Sequence, residues 1–175
     1  MDDGVKDYIM TLNQKNIEKF SDNITVNKSL SNYSWFNLGG PAEYLFKPND
    51  KNQLIEFLHE NKKNNLKITI LGAGSNTLIR DNGIKGTVIK LGSSFSEVKL
   101  VEKNVIEAGA AALDRKVSNF AKENGLAELE FLSCIPGSIG GAIIMNSGCY
   151  GNDISKILIL INLINIKNCE EKEIK

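Results

Sequence analysis

Between Ser133 and Gly151 the chain reads SCIPGSIGGAIIMNSGCYG, with five glycines in the fifteen positions from Gly137 to Gly151. A well-packed helix or strand does not carry that density, because glycine loses the most backbone freedom on ordering. Yet Phe131, Leu132, Ile135, Ile139, Ile143, Ile144 and Met145 flank and interrupt the segment, and a floppy loop would have no use for them. Backbone that is buried without being regular must hydrogen-bond something, and a bound ligand is a fitting partner. A glycine-rich stretch of this length inside a compact domain is usually functional.

A second cluster, Gly72-Ala73-Gly74-Ser75-Asn76, follows the short β-branched run Lys67–Leu71. Its two glycines allow a tight turn whose N–H groups face one concavity suited to phosphate oxygens. Ser75 and Asn76 add side-chain donors. From these five residues alone, a phosphate cradle and a plain tight turn are equally good readings. A dinucleotide fingerprint would need a third glycine where Thr77 stands, and a phosphate-binding P-loop would need a lysine that is absent. Together the clusters offer neutral donors and few charges, which suits a diphosphate on a large ring system better than hydrolysis. No nucleophile–base pair is visible, since His59 is the single histidine.

The rest of the composition narrows the setting. Lys plus Arg and Asp plus Glu both total 21, so there is no basic excess of the kind that grips nucleic acid. No apolar run approaches the roughly 20 residues of a membrane span. Met1-Asp2-Asp3 does not open a secretory signal. Cys134, Cys149 and Cys169 lack C-x-x-C spacing, which predicts no metal site and a reducing, cytoplasmic setting. The length of 175 residues allows one domain or two small ones.

Hydrophobic spacing predicts a loose helix over residues 5–20, a linker from Asp22 to Ser34, and a strand from Ala42 to Lys47. Asp50 and Gln53 form a capping-box signature for a helix over 51–63, with His59 on its solvated face. Strands are expected at Lys67–Leu71, Thr77–Arg80 and Thr87–Leu91, and a hairpin at Val98–Val101 and Val105–Ala108. Leu113, Val117, Phe120 and Ala121 mark a second helix, with Asp114 and Arg115 on its solvated face. Ile157–Ile166 reads as a buried strand, with a return strand beginning at Glu173. Strands outnumber helices without alternating with them, which is an α+β pattern.

Three blocks, in order, resemble the UDP-N-acetylenolpyruvoylglucosamine reductase family: SWFNLGGPA from Ser34, LGAGSNTLIRDNGIKG from Leu71, and GLAELEFLSCIPGSIGGAIIMNSGCYG from Gly125. The resemblance implies a two-lobed FAD-binding fold of the vanillyl-alcohol-oxidase (PCMH) type. The expected division is an N-terminal extension and linker over 1–33, one lobe over 34–91 and a truncated second lobe over 92–175. It also implies that Gly72, Ala73, Gly74, Ser75 and Asn76, with Thr77, contact the FAD pyrophosphate. Pro136, Gly137, Ser138, Gly140 and Gly141, with Asn146, Gly148, Tyr150 and Gly151, would line the flavin. The implied reaction is cytoplasmic reduction of an enolpyruvyl UDP-sugar in peptidoglycan synthesis, with NADPH as hydride donor. Asn37 stands where the family often has arginine. The family's catalytic arginine (in a Tyr-Arg-x-Ser motif), serine and glutamate have no counterpart in this sequence, which therefore looks like the FAD-binding portion without the C-terminal substrate domain. It would then be a fragment of such an enzyme, or one half of a split enzyme whose separate C-terminal chain supplies that domain; the alternative is a non-catalytic FAD- or nucleotide-binding module or a remnant.

Overall fold

The computed structural model describes residues 18–64 and 67–175, so most of the helical period read over 5–20 lies outside the described residues. The chain divides into two compact units. One takes in the described residues up to Leu71, Thr77–Lys90 and Ile161–Lys175; the other takes in Gly72–Asn76 and Leu91–Leu160. Compared with lobes drawn at 34–91 and 92–175, Gly72–Asn76 joins the second unit and Ile161–Lys175 joins the first.

The first unit is built on a four-stranded sheet of β1 (Ile24–Ser29), β2 (Pro41–Phe46), β3 (Ile68–Ile70) and β4 (Ile84–Ile89), in the order β1-β2-β4-β3. β1 runs antiparallel to β2, while β2 and β3 are both parallel to β4. The stretch read as a linker is therefore ordered, with strand β1 between two 3₁₀ turns. β1 is an edge strand with one buried residue, Ile24, and Asn27 in the left-handed region at φ 50°, so it shows no clean alternation. Helix α1 (Lys51–Asn64) joins β2 to β3. Its start follows the capping box in part: Gln53 N–H donates to Asp50 Oδ1 at 2.8 Å, while Gln53 Oε1 accepts from Asn49 N–H at 2.6 Å. His59 is exposed, as expected for the solvated face.

Successive residues of β2 point to opposite faces and seed two packed clusters. Leu45 pairs in register with Val88 and joins Leu30, Ala42, Leu71 and Ile79. Phe46 stacks on Phe57 of α1 with centroids 4.0 Å apart, and Phe20 meets both rings edge-on. All three rings are 0% exposed.

β3 and β4 are parallel neighbours, so the chain between them must cross over rather than turn back. The crossover, Leu71–Gly83, holds neither helix nor strand. The strand expected at Thr77–Arg80 is absent for that reason: no neighbouring strand pairs with it, although Arg80 O accepts from Gly40 N–H at 3.0 Å. Parallel pairing without a helix opening at Gly72–Asn76 leaves the dinucleotide-fingerprint reading rejected. Ile161–Ile164 (β9) and Glu171–Ile174 (β10) form a separate antiparallel pair. The longer buried strand over Ile157–Ile166 is not found; Ile159 is 64% exposed, and only the four residues of β9 are paired. An exposed Lys51–Glu171 ion pair at 2.9 Å links β10 to α1, a contact worth little by itself.

In the second unit, β5 (Val98–Glu102) and β6 (Val105–Ala108) form the expected hairpin. Helix α2 (Asp114–Glu123) ends ahead of Gly125 at φ +68°, and a 3₁₀ turn covers Glu130–Cys134. Helix α3 (Ile139–Met145), a small hairpin of β7 (Gly148–Cys149) and β8 (Asn152–Asp153), and a 3₁₀ turn at Ile154–Lys156 complete it. Ala112, Val117, Phe131, Leu132, Ala142 and Ile154 form the core. The first unit should depend on its aromatic cluster. Phe57→Ala is expected to lower stability by about 3–5 kcal/mol in urea unfolding, the range for an emptied aromatic site.

Candidate functional site

The glycine-rich segment is held by a short backbone ladder. Ile139 N–H donates to Ala112 O and Gly140 N–H to Ala110 O, both at 2.9 Å, and Asp114 N–H donates to Gly137 O at 3.2 Å. A β-bridge pairs Leu113 with Ser138. With one edge fixed, the chain can enter α3 even though Gly140 and Gly141 are poor helix formers. The expectation that these glycines could not sit in a helix is thus corrected: the ladder supplies what propensity does not. At Gly140 an added Cβ would lie 3.1 Å from both Cβ and O of Ala110, so the missing side chain lets the two segments close.

The same unit brings the two glycine clusters together. A Cβ at Gly72 would lie 3.1 Å from Ser138 Oγ, so the absent side chain leaves the phosphate-type loop seated against the start of α3. Ser138 is buried and Gly74 adopts φ +74°. Gly72, Ala73, Gly74, Ser75 and Asn76 therefore share a unit with Pro136, Gly137, Ser138, Gly140 and Gly141. Thr77 does not; it belongs to the first unit, where its carbonyl accepts from Ser34 Oγ at 3.3 Å.

The remaining predicted residues have visible structural work. Asn146 caps α3 in the left-handed conformation at φ 43°, and its Oδ1 accepts from Ser155 N–H at 2.9 Å. Gly148 lies where any Cβ would overlap β8. Tyr150 and Gly151 both have positive φ in the turn of that hairpin. Tyr150 is 88% exposed, and its left-handed backbone is uncommon for a large residue. The Ser155 hydroxyl beside Asp153 holds that carboxyl below its ordinary range.

One residue was misplaced by its charge, although it lies three and seven residues before the buried Val117 and Ala121. Asp114, read as solvated, is 0% exposed, and neither carboxyl oxygen has a hydrogen-bond partner among the described residues. Burial pushes its carboxyl up to about 6. The missed signal is its position: it follows Leu113 at the helix start, where the bridge to Ser138 seals that turn. A depression of about 340 Å³ lined by Leu91, Gly92, Ser93, Ser96, Ala111, Leu113 and Lys116 was also unforeseen. It contains none of the predicted site residues, and its cation is engaged, with Lys116 Nζ donating to Ser96 O at 2.6 Å.

A sequence profile described as an FAD binding domain matches residues 42–162. Among curated relatives, the UDP-N-acetylenolpyruvoylglucosamine reductase of Pelagibacter ubique is 44% identical over 153 residues, covering 85% of this chain and 50% of the relative. The enzyme of that name from Gluconobacter oxydans is 50% identical over 134 residues, covering 77% and 43%. The crystal structure of UDP-N-acetylenolpyruvylglucosamine reductase from Thermus caldophilus superposes with a TM-score of 0.70 at 25% identity, over 86% of this chain and 51% of that one. p-Cresol methylhydroxylase shares the fold alone, with a TM-score of 0.58 at 13% identity over 98% of this chain and 34% of that one. The chain belongs to the FAD-binding domain family. Within it, the sequence corresponds to the N-terminal portion of the UDP-N-acetylenolpyruvoylglucosamine reductases, and it spans about half the length of the curated relatives it matches.

The residues present fit FAD. The Gly72–Ser138 contact forms a cradle that a side chain would fill, and neither cluster carries a carboxylate to repel a diphosphate.

Two outcomes follow from this geometry. Gly141→Ala should be tolerated or stabilising by about 0.5–1 kcal/mol, because its Cβ would meet only Ser138 Oγ at an ordinary 3.7 Å, whereas Gly140→Ala should lower the unfolding midpoint. Asp114 has its carboxyl raised to about 6, above the unfolded value, so the folded form binds the proton more tightly. Stability should therefore fall as pH rises from about 4 to 6 and level off above it. Asp114→Asn should remove that fall, a difference on the order of 1–2 kcal/mol read from urea unfolding at pH 4.5 and 8.

Proposed function

We propose that this chain holds FAD for the reduction of UDP-N-acetylenolpyruvoylglucosamine in cytoplasmic peptidoglycan synthesis, with NADPH as the hydride donor. The observation that carries the reading is the meeting of Gly72 with Ser138, which joins a donor-rich turn to the glycine-rich start of α3 within one unit. In this reading Gly72–Asn76 turns backbone N–H groups toward the pyrophosphate, and Pro136–Gly141 lies along the flavin. FAD, once bound, supplies the hydride transfer; the chain's own residues bind it, orient it and exclude water from one side. Asn146 and Gly148 act from behind, by holding the end of α3 and the hairpin after it.

The UDP-sugar and the groups that would stabilise and protonate the reduced product fall to a further substrate domain, on the same polypeptide or a separate one. The arginine, serine and glutamate that the resemblance assigns to those steps are not among these 175 residues. Without such groups, developing charge on the substrate is unsupported, and loss of even one oxyanion donor typically lowers kcat by about 10²–10³-fold.

The 175 residues alone should therefore retain FAD on gel filtration, with a flavin absorbance band, yet give no substrate-dependent NADPH oxidation. Gly141→Leu should abolish flavin retention while leaving the far-ultraviolet circular dichroism unchanged. A folded parent chain that keeps no FAD would overturn the reading, as would a Gly141→Leu variant with full flavin occupancy.

A further inference from the structure

A buried carboxyl without a hydrogen bond is expensive to keep, and the second unit keeps one beside its glycine-rich segment. Asp114 begins α2, and its backbone N–H donates to Gly137 O at 3.2 Å. Its Oδ2 sits against Gly137, in the volume that any Cβ there would need. Both carboxyl oxygens lack a partner among the described residues, and the side chain is 0% exposed. A helix N-terminus favours negative charge by only about 0.3–1 kcal/mol, while stripping solvent from an unpaired carboxylate costs several times more. The elements packed on α2 carry charged groups, Glu130 on the 3₁₀ turn and Lys99 and Glu102 on β5, and Arg115, Lys116, Lys122 and Glu123 lie on α2 itself, all exposed; the exposed thiol of Cys134 also lies on that turn. Pro136–Gly141 has no ionisable side chain. The raised carboxyl accordingly has desolvation as its cause.

We propose that Asp114 is a positioning residue for the flavin-lining segment: its uncharged carboxyl, packed against Gly137, fixes the Pro136–Gly141 turn in the shape that receives flavin, and ionisation loosens that turn. The proposal rests on the reading that this segment contacts flavin. An ionised Asp114 must regain solvent, and Gly137 lies in the way. Moving the turn aside weakens the Asp114 N–H to Gly137 O bond and shifts Ser138, whose Oγ faces Gly72. The carboxyl and the glycine thus act as a pair, the side chain of one occupying the space left by the other.

The test uses the full chain in two measurements between pH 5 and 8. The first, without flavin, is hydrogen exchange at the Ile139 and Gly140 amides, corrected for intrinsic rates. Protection in the parent should fall by about tenfold as pH rises through 6, and in Asp114→Asn it should stay flat. The second is FAD affinity from flavin fluorescence, which should weaken by a similar factor in the parent and keep its low-pH value in Asp114→Asn. Protection that ignores pH in the parent, or that falls equally in Asp114→Asn, would overturn the role of Asp114 whatever the chain does with FAD. Protection that changes as expected while FAD affinity does not would overturn the flavin-lining assignment, and the positioning role with it. If Asp114→Asn does not fold, Asp114→Ala, which likewise carries no ionisable group, takes its place in both measurements.

Discussion

The backbone ladder between Ala110–Asp114 and Gly137–Gly140 is the constraint on which the candidate site depends. Glycine-rich backbone has no side chains with which to hold its own shape, so it must borrow a rigid edge. Here that edge runs from the end of β6 to the start of α2 and is set by the core around Ala112 and Val117. Once pinned, the segment can start a seven-residue helix across two glycines and bring Ser138 up to Gly72. Removing the edge would leave the glycines free to sample many conformations, few of which suit a ligand.

Where sequence and structure agree, the signal was local. The hairpin at Val98–Ala108 and helix α1 with its Asp50 cap were legible because turn chemistry and capping act over a few residues. The α+β class was legible too. What escaped were features decided by distant partners. β1 is a strand because β2 is beside it, and its own polar residues disguise that. Thr77–Arg80 has strand-like residues but no neighbour to pair with. Ile157–Ile166 is apolar at every position but Asn162 and Asn165, yet only Ile161–Ile164 finds a partner.

Asp114 shows the same limit at a single residue. Its spacing of three and seven residues from Val117 and Ala121 puts it on the buried face of α2, and only its charge argued for the solvated side. The side chain's surroundings come instead from Gly137, twenty-three positions later, arriving through the bridge at Ser138. No pattern within α2 could have revealed that a carboxyl lies under a glycine.

The interleaving of the two units along the chain has a consequence for how the molecule forms. Neither unit is a continuous stretch: the first lacks β9 and β10 until Ile161–Lys175 is made, and the second needs Gly72–Asn76 from within the β3–β4 crossover. On the ribosome, then, residues 18–90 emerge with their sheet strands together but with five residues that must wait for Leu91–Leu160. Assembly is governed by contacts distant in sequence, which close slowly and leave intermediates open to misassociation. Neither unit can be cut out as one piece of chain, because the polypeptide passes between them at Leu71, Asn76, Lys90 and Leu160.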